Sequence, residues 1–191
     1  HDDDRNDATY DYDAFGRRVG MVIGAGTPAA RAYRFLYQGQ DVVAELVDEG
    51  NDGSIDWQRV YWLLPGIDRR LGFVDLVDGE SPRLYYYLCD QVGSILQVVA
   101  EDGTVVNQYA YDAWGNPREE WCFEGIENRY RFQGREWDAH RGEYYYRYRT
   151  YIPETATFGG TDMRLAMDAE GIASYVFCGN NPLVYADPMG L

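Results

Sequence analysis

Short runs of aromatic and β-branched residues recur along the chain, and each is closed by a cluster of Gly, Asp, Asn or Ser. Residues 31–37 (RAYRFLY) and 42–47 (VVAELV) flank a Gln38-Gly39-Gln40 turn. A turn cluster at 48–54 (DEGNDGS) leads into 55–64 (IDWQRVYWLL). Residues 83–88 (RLYYYL) and 95–100 (ILQVVA) follow, and Glu101-Asp102-Gly103 reads as a tight hairpin turn into 104–111 (TVVNQYAY). The last pair of runs is 129–133 (RYRFQ) and 143–151 (EYYYRYRTY). No segment sustains a 3.6-residue period over twelve residues; the best helical candidate lies around 161–170. The pattern predicts an all-β chain of successive antiparallel hairpins, with residues 1–9 (HDDDRNDAT) as an acidic lead-in.

One unit repeats. Tyr12-Asp13-Ala14-Phe15-Gly16-Arg17 returns as Tyr111-Asp112-Ala113-Trp114-Gly115-Asn116, with a looser echo in Trp137-Asp138-Ala139-His140-Arg141-Gly142. Each combines an aromatic strand end, an Asp able to bond the turn backbone, and a Gly free to take positive φ. The aromatic inside the turn is expected to fold back onto the sheet. Repetition of such units marks a sheet that grows strand by strand.

Composition narrows the function. Aromatics make up 16% of the chain and include eighteen Tyr, too much apolar surface for a disordered segment. Seventeen Arg and no Lys face 32 acidic residues, a net charge of -15, which argues against a binder of duplex DNA or anionic membranes. No apolar run is long enough to span a bilayer. Cys89, Cys122 and Cys178 show no metal-type spacing and are read as three buried thiols, with one disulfide plus a free thiol as the alternative. The chain starts at His1 rather than Met, which reads as a processed or excised piece whose targeting signal lay upstream.

Tyr-Asp-Ala-aromatic-Gly resembles the YD repeat of the Rhs (rearrangement hotspot) family, and the likeness extends along most of the chain. Residues 83–117 (RLYYYLCDQVGSILQVVAEDGTVVNQYAYDAWGNP), 129–153 (RYRFQGREWDAHRGEYYYRYRTYIP) and 175–191 (YVFCGNNPLVYADPMGL) are similar to successive stretches of the Rhs repeat-associated core. The resemblance implies part of a hollow YD-repeat β-shell, with residues 10–157 as hairpins and 158–191 as an irregular C-terminal plug. It further implies a shell that encloses a C-terminal toxin segment, as in polymorphic toxins, and an aspartic self-protease that cuts after a DPxGL motif. Here that motif is Asp187-Pro188-Met189-Gly190-Leu191, so the chain ends where such a cut would leave it.

An aspartic protease divides acid and base work between two carboxylates. The family pattern matches Asp162 and Asp187 as that catalytic pair, with Gly190 and Leu191 as the cleavage site. Thr161 and Met163 depart from the family's usual Arg and Pro, and Arg164 is the candidate for the displaced cation, with Asp168 a rival carboxylate. Asn180, Asn181, Pro182 and Pro188 are read as positioning residues, the Gly179-Asn180-Asn181-Pro182 turn aiming a following strand toward Asp187. The bland reading of both Asp residues is backbone capping in local turns.

Residues 48–56 look like a calcium loop, but Gly50 and Arg59 stand where ligands are needed, so a hairpin turn is expected. Six Arg among aromatics in 129–149 would suit single-stranded nucleic acid; pairing with carboxylates and stacking on Tyr is the simpler expectation. The sequence implies no metal and no cofactor. Expected partners are an upstream YD-repeat shell and the chain's own C-terminal segment, within a larger assembly that is secreted or at the cell surface. The alternative is a non-enzymatic structural or adhesive YD-repeat protein that binds glycan or protein.

Overall fold

A computed structural model describes residues 8–139, 141–162 and 172–191. It divides into two compact units, His1–Tyr86 and Tyr87–Leu191. The first holds β1 (Ala8–Tyr12), β2 (Arg18–Ile23), β3 (Arg31–Gln38), β4 (Asp41–Glu49), β5 (Trp57–Leu63), β6 (Arg70–Val77) and the start of β7 (Arg83–Cys89). Each strand pairs antiparallel with the next. The second unit carries β8 (Ile95–Ala100), β9 (Val105–Gln108) and β10 (Phe123–Glu124). It also carries a separate sheet of β11 (Glu136–Asp138), β12 (Glu143–Tyr146), β13 (Arg149–Ile152) and β14 (Thr157–Phe158). Spatial order follows chain order in both the ten-stranded and the four-stranded sheet. The all-β hairpin architecture expected from the pattern is thus the observed one.

The repeated turn has a physical basis. In the β1–β2 connection, Asp13 Oδ1 accepts the amides of Phe15 and Arg17, each at 2.9 Å, and Oδ2 takes the Arg17 Nε at 2.7 Å. Gly16 closes the turn at φ 76. Asp112 repeats the design with the amides of Trp114 and Asn116, and Gly115 stands at φ 87. A third copy, unseen in the sequence, surrounds Asp90: its Oδ1 accepts the amides of Val92 and Ser94, with Gly93 at φ 88. The turn aromatics diverge. Trp114 packs against the core of the second unit, whereas Phe15 is 76% exposed, so the expected fold-back fails there.

The Asp13 turn carries a titration signature. Burial acts to raise the Asp13 carboxyl, but the amides of Arg17 and Phe15 and the Arg17 guanidinium outweigh it, and the group lies below its ordinary value. A depressed folded pKa means the turn's contribution is present above the unfolded carboxyl value and is lost as pH falls through the folded one. An NMR titration should find the Asp13 midpoint below that of an unstructured Asp.

The core of the second unit is aromatic: Phe132, Tyr144, Tyr146, Tyr151, Phe158 and Phe177. Tyr151 and Phe177 stack with centroids 3.8 Å apart. Tyrosine serves here because a ring can fill the core while its hydroxyl reaches an oxygen in a loop. Tyr144 donates to Gly115 O at 2.9 Å and Tyr151 to Trp114 O at 2.8 Å, so the four-stranded sheet holds the Asp112 turn. Gly115 has no room for a side chain, since an added Cβ would lie 2.6 Å from the Phe132 ring. Gly115→Ala combines that collision with a left-handed backbone and should cost about 2–4 kcal/mol, read as a fall in melting temperature.

Several expectations need correction. Residues 143–151 are not one strand: Arg147 and Tyr148 form a two-residue turn between β12 and β13, with Arg147 at φ 63. Residues 129–133 are not a strand either. They contribute one bridge, Tyr130 to Glu136, and then a tight turn in which Gln133 and Gly134 take φ 49 and 65. The helical candidate at 161–170 lies almost wholly outside the described residues. All three cysteines are unpaired, but none is fully buried, and Cys89 is exposed.

The turn after β4 does what a hairpin needs. Asp48, placed within the strand rather than in the turn, accepts the amides of Asp52 and Gly53, each at 2.9 Å. In the 129–149 segment the guanidiniums are engaged by carboxylates and rings. Arg129 pairs with Glu136, Arg131 pairs with Glu124 at 2.6 Å and lies over Tyr109, and Arg135 lies over Tyr146. Among the described residues no helix is long and apolar enough to cross a membrane.

Candidate functional site

The second unit gathers its chemistry around Arg149, the first residue of β13. Tyr146 and Arg149 close the β12–β13 hairpin as a cross-strand pair. The Arg149 side chain is 8% exposed and its guanidinium lies 3.6 Å over the Phe158 ring. From there Nη2 stands 3.8 Å from Asp162 Oδ2 and 3.6 Å from Asp187 Oδ2. These separations exceed hydrogen-bond length, so the coupling is one of charge. Nε donates to Gly190 O at 2.6 Å, and Nη1 donates to Ser174 O at 3.1 Å. Burial draws the guanidinium below its ordinary range while Asp162 and Asp187 pull it back up. It remains a cation at neutral pH.

Both carboxylates are tied to their surroundings. Asp162 is buried, just beyond β14, and its amide donates to Ser174 O at 3.0 Å. Asp187 Oδ1 accepts the amides of Met189 and Gly190 at 3.2 and 2.8 Å, an Asx-type turn that leaves Oδ2 toward Arg149. The bland reading is therefore met in part: Asp187 does cap its own turn. It also shares a buried cation with a second carboxylate twenty-five residues earlier, which a capping residue does not need.

The terminal motif is held from outside as well. Arg135 Nη1 donates to Pro188 O at 2.9 Å, and Arg147 Nη1 donates to the same oxygen. The Tyr148 amide donates to Met189 O at 3.2 Å. Gly190 sits at φ 70 against the Tyr146 carbonyl, where any Cβ would collide. Leu191 is partly exposed beyond it.

The residues read from sequence fare unevenly. Asp162, Asp187 and Gly190 converge on one guanidinium. Pro188 is an anchor through its carbonyl. Asn180 takes the expected left-handed backbone at φ 61, joined by Cys178 and Gly179 at φ 48 and 58, whereas Asn181 does not, at φ -137. Asn181 O instead accepts the amides of Val184 and Tyr185. No strand follows Pro182; residues 182–184 form a further turn, and burial of the Pro182 carbonyl against Gln133 holds it in place. Arg164, the candidate cation, and Asp168, the rival carboxylate, lie outside the described residues. The cation that is seen is Arg149, which sequence reasoning placed in a structural lattice. Its signal was present: the YYYRYRTYIP segment belongs to the block that resembles the Rhs core.

A buried cation between two carboxylates has a definite chemical use. It offsets the repulsion between two negative charges and favours the ionised form that a general base needs. Among the described residues no group of three His, Cys, Asp or Glu side chains is arranged to hold a metal ion.

Comparison with known proteins fits this architecture. The tRNA3(Ser)-specific nuclease WapA of Bacillus spizizenii is 28% identical over 191 residues, covering 98% of this chain and 8% of that protein. This chain thus spans about a twelfth of that curated relative. The crystal structure of TcdB2-TccC3-TEV superposes with a TM-score of 0.76 at 23% identity, over 96% of this chain and 9% of that one. That of TcdB2-TccC3 without its hypervariable C-terminal region gives 0.75 at 23% identity, with the same coverage. At that identity the two structures speak for the fold. The teneurin YD-shell model matches residues 1–120, well over half of the chain, and so this chain belongs to the YD-shell family, the YD-repeat group that its Tyr-Asp turns resemble.

Proposed function

We propose that this shell module closes a β-shell around a C-terminal segment and frees that segment by aspartic-type self-cleavage after Leu191. The observation that carries the reading is the Arg149 side chain, which meets Asp162, Asp187 and the Gly190 carbonyl together. Both carboxylates thus face the guanidinium that holds Gly190, the residue just before Leu191, which supports the reading. In the reaction one residue is an ionised carboxylate and the other a protonated carboxylic acid: the carboxylate takes a proton from water, the water oxygen attacks the Leu191 carbonyl carbon, and as the C–N bond breaks the acid gives its proton to the departing amine. Arg149 offsets the negative charge throughout.

The anchoring of the motif supports the same reading. With Pro188 and Gly190 held by Arg135, Arg147 and Arg149, the new C-terminus stays in place after the cut, so the site acts once on its own chain. One structural relative is described as having a hypervariable C-terminal region, the kind of segment that would follow Leu191. β1 and β10 end the larger sheet, and further YD repeats are the natural neighbours for such edges. We place the assembly outside the cell or on its surface.

The reading is tested by producing a chain that continues past Leu191 and measuring its intact mass. Two masses, one ending at Leu191, are expected. A single uncut mass would favour the non-enzymatic structural role.

A further inference from the structure

The Asp187 segment has little regular structure of its own. Residues 181–191 contain no strand and no helix, and Leu183, Val184 and Tyr185 are all more than half exposed. Something else must fix the carboxylate to within a fraction of an ångström for proton transfer. The geometry points to Gln133 as the positioning residue for Asp187, a role that rests on the self-cleavage reading above.

Gln133 is 4% exposed, and it takes φ 49, a left-handed backbone that a residue with a side chain adopts only under constraint. The constraint is visible. Arg131 N bonds Arg135 O at 2.8 Å, Arg135 N bonds Phe132 O at 2.9 Å, and the Gln133 amide donates to the buried Ser94 Oγ at 3.1 Å. This turn drives the Gln133 side chain inward, where every function of its amide is used. Nε2 donates to Pro182 O and to Tyr185 O, both at 3.0 Å. Oε1 accepts from Tyr146 OH at 3.1 Å. Carbonyls only accept, so the nitrogen must face them and the amide has one orientation. Tyr146 is fully buried, and burial holds its hydroxyl protonated, which keeps it a donor.

The two carbonyls bracket the exposed Leu183-Val184 tip, and Asp187 lies two residues past Tyr185. On its other side the Pro188 carbonyl is taken by Arg135, from the same 131–135 turn. One tight turn therefore holds the chain immediately before and immediately after Asp187. Gln suits this place because its amide offers two donors and one acceptor. Glu would turn an acceptor toward both carbonyls, and Met would fill the space with no donor.

The test uses the full shell protein continued past Leu191, with Gln133→Met, Gln133→His and the unaltered chain side by side. Two quantities are read: the first-order rate of cutting, and hydrogen exchange at the Met189 and Gly190 amides that Asp187 Oδ1 holds. Gln133→Met is expected to slow cutting by ~10- to 100-fold, in the range that small misplacements produce. It should speed exchange at the two amides by about tenfold, the effect of losing roughly one hydrogen bond, while exchange in β12 and β13 is unchanged. Gln133→His, with one N–H donor, should recover part of the rate; a purely structural role would not make rate follow donor number. Wild-type cutting together with wild-type exchange in Gln133→Met would overturn the assignment. If the unaltered chain does not cut, the cleavage reading falls by itself and the exchange measurement decides the positioning role. Faster exchange at Met189 and Gly190 then upholds it, and unchanged exchange refutes it.

Discussion

Asp187→Asn is expected to leave a chain that continues past Leu191 essentially uncut. The exchange is nearly isosteric, and the Asn carbonyl oxygen can still accept the amides of Met189 and Gly190, so the Asx-type turn survives. What disappears is the negative charge facing Arg149. An amide neither takes a proton from water at neutral pH nor gives one to an amine. Loss of a general acid or base slows reactions of this kind by about 10²–10⁴-fold. The rate is read as the first-order appearance of the piece ending at Leu191. Because Arg149 keeps Asp162 as a partner, the variant should remain folded, and its circular dichroism should overlay that of the parent. Cutting at the parental rate in a folded Asp187→Asn chain would remove Asp187 from the chemistry.

Arg149→Met should have the largest effect on stability. The substitution keeps an apolar stem over Phe158 and deletes the guanidinium. Buried Asp162 and half-buried Asp187 then lose their shared cation, the Gly190 carbonyl loses its donor at 2.6 Å, and the Ser174 carbonyl loses one at 3.1 Å. Removing one side of a buried ion pair costs about 3–5 kcal/mol, because the partner charge stays behind without compensation. A denaturant melt of the shell protein should show the midpoint falling accordingly. Arg149→Lys should recover only part of the loss. A single ammonium restores charge, but it cannot reproduce the planar fork that serves Gly190, Ser174 and two carboxylates at once. A melt of Arg149→Met within experimental error of the parent would show that the carboxylates do not depend on this cation.

The turns were the most legible part of this fold. Tyr-Asp followed by an aromatic and Gly encodes a local hydrogen-bond pattern, and Asp13 and Asp112 carry it out with the same amides. Asp90 does so too, but Cys89 precedes it and Gln91-Val92 follows, so the pattern is present in geometry without being spelled in residues. Strand β6 escaped notice because Gly72 and Asp75 break its apolar run. The reasons lie on neighbouring strands. A side chain at Gly72 would collide with the Tyr85 carbonyl, and Asp75 is the partner of buried Arg59 at 2.6 and 2.8 Å. Neither relation is local in sequence.

The candidate site was half legible. Asp162 and Asp187 stood out through resemblance, and the structure adds the Arg149 guanidinium that both approach. Arg149 was hidden because Arg147 and Arg149, two apart in a Tyr-rich run, look like one face of a strand. The turn at Arg147 and Tyr148 breaks that face: Arg147 reaches the Pro188 carbonyl, and Arg149 turns into the core. Gln133 was hidden for a similar reason, since a left-handed turn stands where the pattern predicted extended chain. The acidic balance also reads differently once placed. Asp recurs as a turn-former and as the terminal pair, and the Arg residues of 129–149 answer carboxylates, rings and carbonyls within the same unit.

The central claim is that one chain both encloses and cuts its own C-terminal segment. Native mass spectrometry of the assembled shell, purified with the chain continuing past Leu191, tests this most directly. One particle that contains two polypeptides is expected, the first ending at Leu191 and the second still held with it. An uncut single polypeptide, or two pieces that separate as independent particles, would contradict it.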